Sequence, residues 1–405
     1  MYNRLDPYFS GIWNGNMMFS WANIRELRLI NENLDKTKNL FPLLSLNTAW
    51  KRVSSKKTLY YTAQIIGILS SHRTATSEQL AALAGVEYDK NFFNHLYNMF
   101  CAELLELGTL NISIMQNTDK RYWGWRLIKR KENIRKIMNI LPNYIAYATC
   151  AGVFPKGGLQ HDRHNILSTE YLLRASENIP NIVIAGETHT GVPLLYPQTV
   201  SQYNKRADGV IFRDDGLGIL LETTASSVGM EIRKKIKNWL ELIQKNLDKE
   251  YFLLFLYAPK KFSVNSFQRL LDIHERLVKE EYSAYYYAQS VQRIGFAHWE
   301  EHYGKEKISA AGLDLECHFY NLQNQNWQRH SLLKVVNHNP RPYIYDNFSA
   351  TFTTPPKKGR KNYPLWALPL LEQQQQTVLT QNKSTVLVQN QPTVSTKPAQ
   401  PEWWS

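Results

Sequence analysis

Two short apolar runs, separated by the turn sequence Asp214-Asp215-Gly216, constrain the fold more than any other part of this chain. An Asp-Gly turn between apolar runs is typical of a β-hairpin. The first predicted strand opens with Asp208 and the second ends with Glu222. Carboxylates at the ends of adjacent strands can share a divalent cation such as Mg²⁺. We therefore expect Asp208 and Glu222 to be metal ligands.

The residues after this hairpin predict a layered α/β domain. A basic, amphipathic helix starts near Glu231, and the apolar run Tyr251–Ala258 has the character of a strand buried on both faces. An amphipathic helix at Ser266–Glu280 and a further strand at Ala284–Gln289 follow. This alternation predicts a three-layer α/β domain over residues 150–300.

The order of hairpin, helix and buried strand resembles the core of the PD-(D/E)XK nucleases. In that family's motif the aspartate corresponds to Asp208 and the second acid to Glu222. These domains begin with a helix that often adds a glutamate to the metal site, which implies Glu170 here. The family's lysine would fall at Thr224, so the third element of the motif is missing from its usual place.

Lys235 is the candidate to replace that lysine. In some proteins of this class the lysine has moved to the helix after the second acid, and helical spacing puts Lys235 on a flank of the apolar stripe. Arg233 is the second candidate, whereas Lys234 points away from the stripe. The alternative is that these cations only line a surface that faces phosphates.

His161 and His164 are a separate candidate pair, because histidines at i and i+3 lie on one side of a helix. They have no clear third ligand in the sequence. The alternative is that both are capping or DNA-facing groups.

The pattern of residues 56–140 predicts three helices followed by a β-hairpin. The helices are expected at Tyr60–Ser70, Thr76–Gly85 and Lys90–Leu107, and the hairpin at Leu110–Leu127. This order resembles a winged helix-turn-helix, whose third helix enters the major groove and whose wing contacts the DNA backbone. The candidate DNA-binding residues on the third helix are Lys90, Asn91, Asn94, His95 and Asn98. Those on the wing and beyond it are Lys120, Arg121, Lys129 and Arg130. A solvated helix face, or a protein–protein module, is the alternative.

The charge and composition are consistent with a DNA-binding protein of the cytoplasm. The 405 residues carry a formal net charge of +13, which favours a polyanion such as double-stranded DNA as partner. Only three cysteines occur, without a Cys-x-x-Cys pair, so neither a disulfide scaffold nor a zinc ribbon is expected. The sequence has no apolar run long enough to cross a membrane, and from the residues at its start we expect no signal peptide.

The remaining segments give few structural predictions. Residues 1–55 are unassigned apart from a helix around Trp21–Leu34, and residues 301–365 form a basic, aromatic extension with no predicted place. Residues 366–405 are a low-complexity tail that we expect to be disordered. Its Trp403-Trp404 pair is either a docking motif for a protein partner or simply the end of the chain.

A winged helix followed by a degenerate PD-(D/E)XK-like domain resembles the replication-relaxation family of plasmids and other mobile elements. The similarity covers residues 60–300 and includes Arg206-Ala-Asp-Gly-Val, where Ala207 replaces the proline of the family pattern. It implies a DNA-binding protein for replication, relaxation or mobilisation of such an element. One alternative is an active endonuclease with Mg²⁺ as cofactor, and another is a winged-helix transcriptional regulator.

Overall fold

The structure of the protein is a computed structural model that describes residues 4, 19–22, 24–33, 43–109, 120–128, 132, 136–137, 160–187, 207–225, 229–248, 250–259, 264–303, 308–338 and 340. The chain divides into two compact units, Met1–Ala367 and Leu368–Ser405, and all described residues belong to the first. The first unit is a mixed α/β structure with two sheets. The predicted tail, residues 366–405, lies outside the described residues.

The first sheet belongs to residues 20–127 and is antiparallel throughout, in the order β1-β3-β4-β2. Its elements are β1 (Ser20–Ala22), α1 (Ile24–Asn33), α2 (Leu46–Val53), α3 (Leu59–His72), β2 (Thr74–Thr76), α4 (Ser77–Leu83), α5 (Lys90–Cys101), β3 (Leu105–Thr109) and β4 (Gly124–Leu127). The described residues of segment 1–55 therefore contribute a strand and two helices, of which the sequence predicted only α1.

Local capping explains where the middle helices begin. The Thr76 hydroxyl accepts a hydrogen bond from the Gln79 N–H, and the Gln79 side chain accepts one from the Thr76 N–H, which makes a capping box for α4. Asp89 caps α5 by accepting from the Phe92 N–H at 2.6 Å. The helix predicted at Lys90–Leu107 is too long, because Glu103 adopts a left-handed φ of 59° just after α5 and the chain turns into β3.

The second sheet has seven strands in the order β11-β10-β9-β8-β7-β6-β5. Strands β7, β8 and β9 are parallel, and the remaining neighbours are antiparallel. Its elements are α6 (Gln160–Asn178), β5 (Ile182–Gly186), β6 (Gly209–Arg213), β7 (Gly218–Thr224), α7 (Met230–Gln244), β8 (Tyr251–Tyr257), α8 (Val264–Glu281), α9 (Ala288–Val291), β9 (Ile294–His298), α10 (Trp299–His302), α11 (Ala310–Leu313), β10 (Glu316–Asn321) and β11 (Asn326–Ser331).

The predicted hairpin is confirmed as β6 and β7. Gly216 occupies the left-handed region with a φ of 84°, and the Asp215 carboxylate bonds the Arg213 guanidinium and the Leu217 N–H across the turn. Strand β8 is buried along almost its whole length. Its alternate residues Leu253 and Phe255 pack under α7 and α8, in the main hydrophobic core.

Two predictions for the C-terminal part of this sheet are wrong. Residues 284–289 are not a strand, because Tyr285–Tyr287 form a 3-10 helix that leads into α9. The next strand is β9 instead. Residues 301–365 are also more than an unplaced extension, since β10 and β11 pair within that stretch and β10 continues the sheet from β9.

The two sheets are connected by close contacts along α3, α4 and α6. The Gly186 N–H at the end of β5 donates to Ser71 Oγ at 2.8 Å. A Cβ on Gly186 would lie 2.4 Å from the Ser71 carbonyl oxygen, so the close approach requires glycine. On the other side, Gln79 Nε2 donates to the Ile166 carbonyl at 2.9 Å. These contacts fix α6, which carries one residue of the site described below.

Candidate functional site

Strand pairing brings Asp208 and Glu222 together. Asp208 lies directly before β6, and its N–H donates to the carbonyl of Leu221 at 2.7 Å. Its side-chain Oδ2 accepts the Thr223 N–H at 2.6 Å. Asp208 is therefore held by the backbone of β7 on both sides of Glu222, and the expected proximity of the two acids is found.

Helix α7 supplies two partners to Glu222. Lys235 and Trp239 are one turn apart on α7, so both reach the same strand. The Trp239 indole N–H donates to Glu222 Oε2 at 2.7 Å, and the Lys235 ammonium forms an ion pair with Oε1. Glu222 is buried. The family's lysine is replaced by Thr224, and Lys235 lies beside Glu222, as expected of a residue that takes the place of that lysine.

The neighbouring cations of α7 lie elsewhere. Arg233 bonds Glu280 and Glu281 of α8, and Lys237 also pairs with Glu281. Lys234 is exposed, as its helical position predicted. Arg233, the second candidate for the missing lysine, therefore belongs to a surface ion-pair cluster between two helices.

His164 also belongs to this cluster, although little in the sequence indicated its contact with Asp208. Its Nε2 lies 2.6 Å from Asp208 Oδ2, at the start of α6. His164 was predicted only as a member of a pair with His161, whose side chain lies outside the described residues. The signal available in the sequence was its position at the start of the helix that precedes the hairpin, where a side chain can reach the ends of the strands.

Mutual electrostatics perturb all four charged groups. Burial alone would lower the pKa of His164, but the Asp208 charge and hydrogen bond outweigh burial and raise it. Burial would raise the pKa of Asp208, but His164 and Lys235 hold it below its usual value.

Glu222 is perturbed in the opposite sense to Asp208. Burial and repulsion from Asp208 raise its pKa to about 7, against the opposing effect of Lys235. Burial would lower the pKa of Lys235, but the two carboxylates raise it. A group with a pKa near neutrality beside a fixed cation is typical of functional sites.

A divalent cation fits this cluster. Ligand atoms of His164, Asp208 and Glu222 all lie within 4.8 Å of one another, and this is the one such group found among the described residues. Two carboxylates suit Mg²⁺ or Mn²⁺, and an imidazole nitrogen favours Mn²⁺ and later transition metals over Mg²⁺. The donor set is thus compatible with Mg²⁺, which is the cofactor expected if the site is an active endonuclease, and also with Mn²⁺.

The expectation that Glu170 joins the metal site needs correction. Its buried carboxylate accepts hydrogen bonds from Arg174 Nε at 2.9 Å and from Gln79 Nε2 at 3.2 Å, and it lies 3.5 Å from Arg4 Nε. Burial would raise its pKa, but Arg4 and Arg174 lower it. Glu170 therefore joins α6 to α4 through a buried ion-pair network.

The predicted DNA-binding residues of α5 divide into two groups. Lys90, Asn91 and Asn94 are exposed, and Asn98 is half-buried. His95 is buried, so its expected contact with DNA is wrong. Its Nε2 lies 3.2 Å from Thr62 Oγ1 on α3, and burial lowers its pKa to about 4.

Of the predicted wing residues, only the first two can be placed. The Lys120 ammonium lies 4.9 Å from the centre of the Phe93 ring, and the Arg121 guanidinium lies 5.7 Å from that of Tyr122. Both contacts are cation–π interactions at the surface. Lys129 and Arg130 lie outside the described residues.

Sequence reasoning missed a basic segment beside α5. Helix α2 packs against α5, and Arg52 Nη1 donates to Asn98 Oδ1 at 3.4 Å. Four cations of α2 and the following loop are exposed, namely Lys51, Arg52, Lys56 and Lys57. Residues 43–58 contain no acidic side chain. The paired basic residues Lys51-Arg52 and Lys56-Lys57 were the signal available in the sequence.

Comparisons of the chain with protein-family models, with curated proteins and with solved structures find no match. Among the described residues, no helix combines the length and apolar composition needed to cross a membrane.

Proposed function

We propose that the protein is a metal-dependent DNA nuclease that docks on duplex DNA through its N-terminal half. The observation that carries the proposal is the ion pair between Lys235 and Glu222 beside Asp208. Without a lysine near the two acids, the cluster would lack the third element of a PD-(D/E)XK site. Lys235 supplies that charge from a helix, although Thr224 stands in the usual place.

Each residue of the cluster has a chemical role in this proposal. Asp208, Glu222 and His164 would hold the cation, which when bound would offset phosphate charge and increase the acidity of water. Lys235 would stabilise negative charge that develops on the phosphate. Trp239 orients the Glu222 carboxylate through its indole N–H.

The order of elements around the cluster supports a PD-(D/E)XK-like arrangement. Helix α6 is followed by the antiparallel strands β5, β6 and β7, then by α7 and the parallel strand β8. The local signals in the sequence, namely a hairpin, an amphipathic helix and a buried strand, occur in the same order.

A winged helix-turn-helix is our proposal for the N-terminal half. It is supported by the succession of α3, α4 and α5 and by the antiparallel pair β3 and β4 that follows. Exposed Lys90, Asn91 and Asn94 on α5 would contact bases and phosphates, and the cations of α2 would extend the contact to the backbone. The resemblance to the replication-relaxation family supports a role in replication, relaxation or mobilisation of a plasmid or other mobile element.

A second candidate function is DNA binding without cleavage. The observation that favours it is that His164 and Lys235 already pair with the two carboxylates, so the charges of the cluster are balanced without a cation. Such a cluster could persist as a stabilising ion-pair network in a degenerate nuclease domain.

Incubation of the full-length protein with supercoiled plasmid and either Mg²⁺ or Mn²⁺ distinguishes the two candidates. We expect nicked or linear product, and loss of that product in Asp208→Asn and in Glu222→Gln. Glu231→Gln, at an exposed position on α7, is the matched control and should cut like the unmodified chain. A protein that binds the plasmid but leaves it intact with both metals contradicts the nuclease proposal and favours the second candidate.

A further inference from the structure

A cavity of about 430 Å³ opens near the strand ends opposite the Asp208/Glu222 cluster. Phe252, at the start of β8, lines it and pairs in register with Ile219, whereas Glu222 lies at the other end of β7 beside Phe255. Successive side chains of a strand point to opposite faces. Since Phe255 packs under α7 and α8, Phe252 faces the other side of the sheet. The cavity is therefore separate from the candidate metal centre.

Aromatic rings form one part of the cavity wall. The rings of Phe252 and Phe319 meet edge to face with centroids 6.3 Å apart, and His330 lies beside Phe319 at 5.9 Å. Phe319 is buried and Phe252 only half-buried, so part of the Phe252 ring faces the open space. Exposed aromatic surface inside a cavity is suited to stacking with a flat, aromatic ligand.

Carboxamide groups form the polar part of the wall. Gln289 and Gln292 are exposed at its rim, and Gln328 lies on β11. The Gln328 oxygen accepts from Asn321 Nδ2 at 3.3 Å and lies 3.2 Å from His330 Nε2. Because these contacts use the oxygen, the Gln328 amide hydrogens are the donors that a ligand would meet. Carboxamides both donate and accept, which matches the mixed hydrogen-bonding edges of nucleobases.

The charge of the cavity favours an anionic ligand. Arg293 lines it, and a hydrogen bond of 3.0 Å from its Nη2 to the Leu247 carbonyl orients the guanidinium. None of the described residues that line the cavity is acidic. Guanidinium groups recognise phosphates well because of their planar set of donors. The volume is within the range of small-ligand sites.

We propose that this cavity binds a nucleotide, with the base against Phe252, its edge on the carboxamides and its phosphate near Arg293. The same chemistry is offered by a free mononucleotide and by an unpaired nucleotide of DNA. This site is independent of the nuclease proposal, because it lies away from the metal cluster and requires none of its residues.

The test measures binding to the full-length Asp208→Asn protein without divalent cations, so that nucleotide at the metal cluster does not contribute. Calorimetry measures the binding of four probes. They are deoxyadenosine monophosphate, inorganic phosphate, a single-stranded oligonucleotide and an abasic oligonucleotide of equal length. Phe252→Leu keeps an apolar side chain without the ring, and Gln328→Leu removes the amide. Gln268→Ala, exposed on α8 and outside the cavity, is the control.

We expect Phe252→Leu and Gln328→Leu each to weaken binding of the base-containing probe by roughly tenfold, with Gln268→Ala unchanged. Binding of the mononucleotide identifies a free nucleotide as ligand. Binding only of the intact oligonucleotide, with loss of affinity in the abasic strand, identifies an unpaired base of DNA. Equal binding of phosphate or abasic strand, no binding of any probe, or affinities that neither cavity variant changes would each overturn the proposal.

Discussion

The Lys235 ammonium and the Glu222 carboxylate form an ion pair that joins α7 to β7, and the Glu222 side chain is only 4% exposed. Burial of an ion pair costs desolvation energy that the attraction between its members often fails to recover. The pair is therefore weak evidence for a purely stabilising role. A second acid, Asp208, lies beside it and repels Glu222. This arrangement supports the proposed nuclease over the second candidate, in which the cluster only stabilises the fold.

Replacement of Lys235 tests that explanation directly. We expect Lys235→Ala to lower the cleavage rate about 10²- to 10³-fold, because a preorganised charge at the phosphate is lost. DNA binding, which depends on α5 and α2 in our proposal, should change little. Lys234→Ala is the matched control, since that side chain is exposed on the same helix. Plasmid nicking rates of the two variants, measured at saturating DNA, separate the outcomes, and equal rates would remove Lys235 from the mechanism.

His164 should determine which cation binds. Its imidazole nitrogen lies within 4.8 Å of the carboxylate ligand atoms, and nitrogen ligands favour Mn²⁺ over Mg²⁺. We expect His164→Asn to weaken Mn²⁺ binding by at least about tenfold, since mutation of even an outer partner of a metal ligand costs that much, and to affect Mg²⁺ binding less. Titration calorimetry of the DNA-free protein gives both affinities. His338→Asn, at an exposed position, is the control, and parallel losses for the two metals would argue against His164 as a ligand.

Local signals made the centre of the site predictable. The Asp215-Gly216 turn fixed the hairpin, and the apolar stripe of α7 gave the direction of Lys235. These features depend on neighbours within one turn or one hairpin. Asp208 and Glu222 lie on the two arms of one hairpin, so their proximity could be predicted from the sequence.

Contacts between residues that are far apart in the chain could not be predicted from the sequence. The network of Glu170 includes Arg4 and Gln79, and nothing local in α6 indicates either partner. His164 reaches Asp208 only because α6 packs across the sheet. Strands β10 and β11 lacked a predicted place, because strand pairing depends on the whole sheet.

Helix α5 offers a test that separates folding from recognition. Asn94 is exposed, so Asn94→Ala should leave the thermal midpoint almost unchanged and weaken sequence preference for DNA by about 1–3 kcal/mol. His95 is buried against Thr62 and Tyr61, so His95→Ala should instead destabilise the fold by about 1–3 kcal/mol. Thermal unfolding and binding to duplex DNA at fixed salt measure the two effects. Loss of DNA preference in His95→Ala at unchanged stability would contradict the assignment of this side chain to the core.

Buried histidines should make the protein sensitive to acid, and His274 allows the clearest measurement. Its ring is fully buried against Phe296 and Trp327, and burial lowers its pKa to about 3. The unfolded chain takes up a proton near pH 6.5, whereas the folded chain does not. The stabilising effect of the neutral ring is therefore fully present above pH 6.5 and is lost as the pH falls towards 3, by about 1.4 kcal/mol per pH unit within that window.

The variant His274→Leu keeps similar volume and removes the titration. We expect its free energy of unfolding to fall less steeply than that of the unmodified chain between pH 6 and pH 4, because one fewer proton is taken up on unfolding. Gln268→Leu, which introduces the same residue at an exposed position of α8 without a titratable group, should retain the original slope. Urea unfolding at a series of pH values provides both slopes. An unchanged slope in His274→Leu would mean that this histidine is protonated in the folded protein, which the apolar surroundings of its ring argue against.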